Sequence, residues 1–226
     1  MEAAAIALIV AVVFGVFIMF AVASSAADRR RREGLADWAR TQGLAYAEQR
    51  PDLVRRFSGT PFRGGRGAKA KNVLSGRWRD RSVTVYEYSY TTSSSNGQTT
   101  TTTTHKFTIV AVATGATPVL QVKDKHLGHR LLDLIGIGDL ELGDEKFDER
   151  FHLQCDDAAF ARTALDQDTR RWLGSRPDVV PFRLSGDHLV LWTNGTLPPE
   201  RIRNRVDAAV DLVERLLSPV DGPVGD

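Results

Sequence analysis

Residues 81–114 read "RSVTVYEYSYTTSSSNGQTTTTTTHKFTIVAVAT", and the architecture turns on them. Polar and apolar residues alternate on both sides of Asn96-Gly97, a pair that tolerates the positive φ angles of a two-residue type I′ turn. That turn sets Glu87 opposite Lys106, Tyr86 opposite Phe107, Tyr88 opposite His105 and Val83 opposite Val110. One face then carries Tyr86, Tyr88, Tyr90, His105, Phe107 and Ile109. Aromatic partners and an opposite-charge pair in one register are what an antiparallel ladder needs. The Ser/Thr-rich tip has little to bury, so it is expected to extend past the core into solvent. The alternative is an open edge for strand addition by a partner.

Outward from this hairpin the chain mixes strands and helices without strict alternation. Upstream, "GLADWARTQG" predicts a short helix stopped at Gly43, "LAYAE" a strand and "PDLVRRF" a helical turn opened by Pro51. "TPFRGGRGAKAKN" reads as a glycine-rich basic loop leading into a strand at "NVLSGRW". Downstream, "PVLQVKDK" predicts a strand and "HLGHRLLDLIG" a short helix. Phe151, Leu153 and Cys155 alternate with His152 and Gln154 as on a half-buried strand. Asp156 or Asp157 caps a helix over "AAFARTALDQDTRRWL". "PFRLSGDHLVLW" predicts a second hairpin, turning at Gly186-Asp187 with Phe182 opposite Leu191 and Leu184 opposite Leu189. In the last helix Ile202, Val206, Ala209, Val213 and Leu216 form one stripe. The expected fold class is α+β, with a mainly antiparallel sheet and flanking helices.

Ala3–Ala23 is a run of 21 residues without charge. As a helix it spans ~31 Å, one hydrocarbon core. A cleavable signal peptide is the competing reading, because "AVASSAA" offers small residues. Against it, the amino terminus holds Glu2 and no cation, the run is long, and the basic cluster follows it. Four consecutive arginines, Arg29, Arg30, Arg31 and Arg32, come directly after the run. Cations beside a span stay in the cytoplasm, so the carboxyl-terminal domain is expected there and the amino terminus outside. The expected organisation is a single-pass anchor over 1–27, a basic juxtamembrane linker over 28–34, one α+β cytoplasmic domain over 35–218 and a loose tail over 219–226. A lone Cys155 excludes an internal disulfide, in keeping with a reducing compartment.

The net charge of +2 hides an asymmetry. Between Asp28 and Arg81 there are 15 basic and 6 acidic residues, and from Ser82 to Asp226 there are 15 and 21. The basic part adjoins the apolar run. Arg29–Arg32 with Arg63, Arg66, Lys69 and Lys71 are therefore the candidate membrane-surface residues, facing anionic headgroups. An ordinary solvated surface is the equal alternative.

Residues that could carry chemistry are sparse. His126 and His129 lie three apart on the expected helix, a weak metal pair with no third ligand. His152 and Cys155, three apart on a strand, fall on opposite faces and do not make a nucleophile with its base. "GGRGAKAKN" lacks the spacing of a phosphate-binding loop, and "DLELGDEKFDE" lacks that of a calcium loop. No catalytic residue and no cofactor is implied. The basic stretch holds no nucleic-acid reading motif, so nucleic acid is not an expected partner.

Phe147, Phe151, Leu153, Asp157, Ala161, Arg162 and Leu165 fit a pattern of F-x-x-x-F-x-[VL] strand, aspartate, and helix with A-R-x-x-L. In this the chain resembles a family of uncharacterised bacterial membrane-anchored proteins. "WARTQGLAYAEQRPDLVRRF" is similar to their actinobacterial branch. The resemblance covers most of the part after the anchor and implies a single membrane-attached domain. Its motifs are structural and carry over no catalytic residue. One apolar run, where the family commonly has two adjacent spans, is the departure. The leading expectation is a non-enzymatic binding or scaffold module using its sheet edge and basic segment toward a protein or lipid headgroups. An enzyme or small-ligand domain with a dispersed site, and an exported domain released by cleavage, are the alternatives.

Overall fold

A computed structural model describes residues 26–62, 65–125, 140–196 and 198–217. The aromatic hairpin forms from β3 (Arg81–Ser95) and β4 (Thr100–Asp124), but its register is moved by two residues. Tyr88 faces Phe107, Tyr90 faces His105, and Glu87 faces Thr108 instead of Lys106. The loop holds four residues, not two, because only Gly97 takes a positive φ (88°). The Asn96 side chain accepts hydrogen bonds from the amides of Gln98 (3.2 Å) and Thr99 (2.8 Å). That local bonding favours a wider turn. An even shift leaves every side chain on its expected face.

β2 (Arg66–Trp78) begins inside the stretch expected to be a basic loop. Its first residues are strand because two register shifts, at Gly67 (φ 65°) and Asn72 (φ 50°), let a glycine-bearing sequence stay paired to β3. β2 returns into β3 through Arg79-Asp80, both at positive φ (45° and 54°). Neither residue is glycine, and the turn is held from outside: Arg79 pairs with Asp211 at 2.5 Å and Asp207 at 3.1 Å. β1 (Ala45–Gln49) flanks β2.

The remaining strands are β5 (Phe151–Cys155) and β6 (Phe182–Asn194). An extended chain from residue 181 to 192 covers ~36 Å, yet the Trp192 amide donates to the Pro181 carbonyl at 3.4 Å. β6 therefore doubles back on itself at Gly186 (φ 64°), the glycine at the first central position that a type II′ turn asks for. The second expected hairpin is present. Its arms pair with separate parts of β4, Phe182–Gly186 with residues 117–122 and His188–Asn194 with 107–113. β4 thus arches over the hairpin between Ala113 and Thr117, where its register breaks. From edge to edge the sheet runs β1, β2, β3, first half of β4, second arm of β6, first arm of β6, second half of β4, β5. Every pairing is antiparallel.

This order explains the core. Val85, Val110, Leu191, Phe182, Val122 and Leu153 form one row across the sheet, and Val83, Val112, Leu189, Leu184 and Leu120 the next. Both rows are buried in the main core. Helices cover that face: α1 (26–41), α3 (Ala158–Ala164), α4 (Gln167–Ser175) and α5 (Pro199–Leu217), with α2 (Glu145–Arg150) leading into β5. The stripe Ile202, Val206, Ala209, Val213 and Leu216 is buried as expected. The back face carries a second cluster of Tyr86, Tyr88, Tyr90, Ile109, Val190 and Trp192, roofed by Leu53, Val54, Phe57 and Phe62. Farther along the same face, Gln121, Gln154, Lys123 and Arg183 are buried and polar.

Two local expectations need correction. The helix expected over residues 158–173 is broken at Leu165, because Asp166 accepts from the Thr169 amide at 2.7 Å and starts α4 anew. Phe147 sits in α2 and not in a strand, since Asp144 caps a short helix there. Asp157 caps α3 as expected, accepting from the amides of Ala159 and Phe160. Among the described residues no helix is long and apolar enough to cross a membrane. The apolar run Ala3–Ala23 and the helix expected at "HLGHRLLDLIG" lie outside the described residues.

Candidate functional site

α1 packs on the main-core face through its own Leu35 and Ala39, both buried, and its Trp38 stacks on Trp78 at 6.3 Å near the β2–β3 turn. Its amino-terminal end lies at the opposite end of the sheet, where Arg31 pairs with Glu87 and Arg32 with Glu48 (2.8 Å). There the face of the sheet changes character. Lys71, Glu87, Thr108 and Thr193 make one row, and Lys69, Ser89 and Lys106 the next. A cleft of about 280 Å³ opens at this end between α1 and Thr196, in the lead-in to α5.

The floor is organised around Glu87. Asn72 donates to it at 2.9 Å, and Tyr46 donates to Asn72 at 2.9 Å. The positive φ of Asn72 belongs to the bulge that turns β2 at this point. Burial, with Glu48 adding to it, raises the Tyr46 phenol above its ordinary range, so Tyr46 remains a donor. Arg31 and Arg32 each have a carboxylate. Lys69, Lys71 and Lys106 make no ion pair among the described residues and face the cleft together. A second, more open cleft of about 440 Å³ shares Thr196 and adds Arg201, Asn204 and Arg205. Burial lowers the Arg205 guanidinium, and Asp178 opposes that shift. The first cleft sets five cations, Arg31, Arg32, Lys69, Lys71 and Lys106, against the carboxylates of Asp28, Glu48 and Glu87, and the positive excess attracts negative charge. This arrangement suits an anion.

Of the sequence-derived candidates, Arg31, Arg32, Lys69 and Lys71 meet in the cleft. Arg29 is exposed and pairs with Glu33 at 2.9 Å. Arg30 and Arg66 are exposed, the latter facing Thr91 at the head of β2. Arg63, His126 and His129 lie outside the described residues. Sequence reasoning missed Lys106, which the shifted register moves from Glu87 to Ser89. It also missed Arg201 and Arg205, which no local pattern separates from a solvated helix face.

Elsewhere the titratable groups serve structure. The Cys155 thiol is raised by burial and bonds to the Asp157 carbonyl at 3.0 Å. His152 faces Lys123 on the other side of the sheet. Asp148, in α2, accepts from the amides of Leu142, Gly143 and Asp144 just ahead of it. No group of three or more metal-ligating side chains occurs among the described residues. Both sheet edges are short: β1 and β5 have five residues each. The β5 edge is partly met by the Leu140 amide donating to Leu153 at 3.0 Å.

No protein-family profile and no curated protein matches the chain. Its fold is similar to the crystal structure of the mycobacterial trehalose monomycolate transport factor A, with a TM-score of 0.56 at 20% identity. The alignment covers 85% of this chain and 97% of that one. At this identity the likeness is one of fold, and it sits with the expected resemblance to actinobacterial proteins.

Proposed function

We propose that the chain is a membrane-tethered, non-catalytic accessory domain on the cytoplasmic side, holding anionic headgroups in the cleft beside α1. The observation that carries the reading is the position of that cleft. Arg31 and Arg32 line it, and Ala23, the last residue of the apolar run, is eight residues before Arg31. Residues 26–31 are helix and rise ~8 Å, and the three residues before them add at most ~11 Å, so a tethered cleft stays within reach of the headgroup layer. Each cation near an anionic leaflet contributes about 1 kcal/mol, screened over ~8 Å. Lys69, Lys71 and Lys106 supply three without an internal carboxylate. The structural neighbour is by its name a transport factor, and an accessory role suits a domain whose charged groups converge on a binding surface.

The test is thermal unfolding of the full chain in a neutral detergent, titrated with short-chain phosphatidylglycerol or phosphatidylcholine. A ligand of the native state raises Tm in proportion to RT ln(1 + [L]/Kd). Saturable stabilisation by the anionic lipid alone, lost in Lys71→Ala/Lys106→Ala, is expected. Equal responses to both lipids, or an undiminished response in the variant, contradict the proposal.

A further inference from the structure

The hydroxyl-rich arm of β3 and β4 is left over by this account. β3 loses its β2 neighbour after Thr91, and β4 gains its β6 neighbour only at Phe107. Between them Thr92–Thr104 is a free two-stranded ribbon, exposed throughout. Sixteen consecutive residues, Ser89–Thr104, carry no charge in a chain with 26% charged residues. Free strand edges in water are ordinarily guarded by charge, proline or a bulge. This ribbon has none of the three: its register is unbroken from Val83↔Val112 to Ser95↔Thr100.

The arm leaves the domain at the end where α1 begins. Ser89 and Lys106, at its root, line the same cleft as Asp28 and Arg31. From Ser89 the tip at Asn96 lies ~23 Å farther along the strand. From Arg31 helix α1 rises ~8 Å back to residue 26, and the three residues from there to the end of the apolar run span at most ~11 Å in any conformation. The tip therefore reaches beyond the level at which the tether enters lipid. An acidic ribbon would be repelled there by anionic headgroups, whereas Ser, Thr, Asn and Gln can exchange water for phosphate and ester oxygens with little desolvation loss.

We infer that the Thr92–Thr104 hairpin is a second membrane contact, seated in the headgroup layer beside the tether. It rests on the tethered reading above and adds to it a neutral, hydrogen-bonding foot next to the cationic cleft. Free edges pointing into a lipid interface meet headgroups instead of the strands of another chain, which is why they can do without charged guards.

The experiment uses the full chain with Cys155→Ala, carrying one cysteine at Gln98→Cys or, as control, at Asp80→Cys at the far end of β3. Each is labelled with an environment-sensitive fluorophore and reconstituted into vesicles of phosphatidylcholine and phosphatidylglycerol. A headgroup-attached nitroxide lipid serves as quencher. The Gln98 probe is expected to emit to the blue of the Asp80 probe and to lose most of its emission to the quencher, while the Asp80 probe does not. A chain that floats with the vesicles but whose Gln98 probe behaves like the Asp80 probe overturns the inference, leaving solvent or a protein as the arm's surroundings. A chain that fails to float overturns the tether itself, so the two failures are told apart.

Discussion

Asp166 shows how one side chain shapes a segment. The residues around it favour a helix running from Ala158 to Leu173, but its carboxylate captures the Thr169 amide and Arg170 captures the Leu165 carbonyl at 2.6 Å. One helix becomes two. Bonding to the Thr169 amide holds the Asp166 carboxyl below its ordinary value. Bonding to the Phe147 amide does the same for Asp144, and the Arg176 guanidinium does so for Asp178. A carboxylate depressed in the folded state contributes stability above the unfolded value, near 3.8, that is lost as pH falls through the folded one. Stability is therefore expected to be flat above about pH 5 and to decline below about pH 4. In urea unfolding at pH 7, Asp166→Ala should cost about 1 kcal/mol and Asp166→Asn much less, since asparagine also caps. The Asn variant should also show a shallower acid decline. Equal losses in both variants would remove the cap from the explanation.

At the scale of elements, alternation and turn residues made the aromatic hairpin legible in the sequence, together with the faces of its strands. Its register was not, because Asn96 serves a type I′ turn and a wider Asx turn equally well until the bonding is known. The Gly186-Asp187 hairpin was legible for a better reason: one glycine at positive φ suffices there. What no local pattern announces is that this hairpin inserts between the two stretches of β4, residues 107–113 and 117–122, which the sequence reads as separate strands. The test is cross-strand proximity. Phe182→Cys/Leu191→Cys in a Cys155→Ala background should oxidise to an intramolecular disulfide under mild conditions, because facing residues of a hairpin bring Cα atoms within reach. A straight β6 would hold them ~30 Å apart and give only intermolecular products. The α1 arginines and β2 lysines were readable as a basic segment. Their convergence with Lys106 was not, because it depends on the register of three strands.

Across the whole molecule charge and shape point the same way. The amino-terminal third is basic and the remainder acidic. The start of α1, the cationic cleft and the uncharged arm crowd one end of the sheet, while the Arg79-Asp80 turn, tied to Asp207 and Asp211, marks the other. Under the proposed function, this polarity is what orients the domain at an anionic surface without a deep pocket. The orientation requires that Arg29–Arg32 remain on the cytoplasmic side of the bilayer. The most direct measurement is paired reporter fusions behind Asp226 in bacterial cells, one fluorescent only in the cytoplasm and one active only outside it. The account predicts signal from the first and none from the second. The reverse pattern would contradict both the anchor's direction and the placement of the cleft against the inner leaflet.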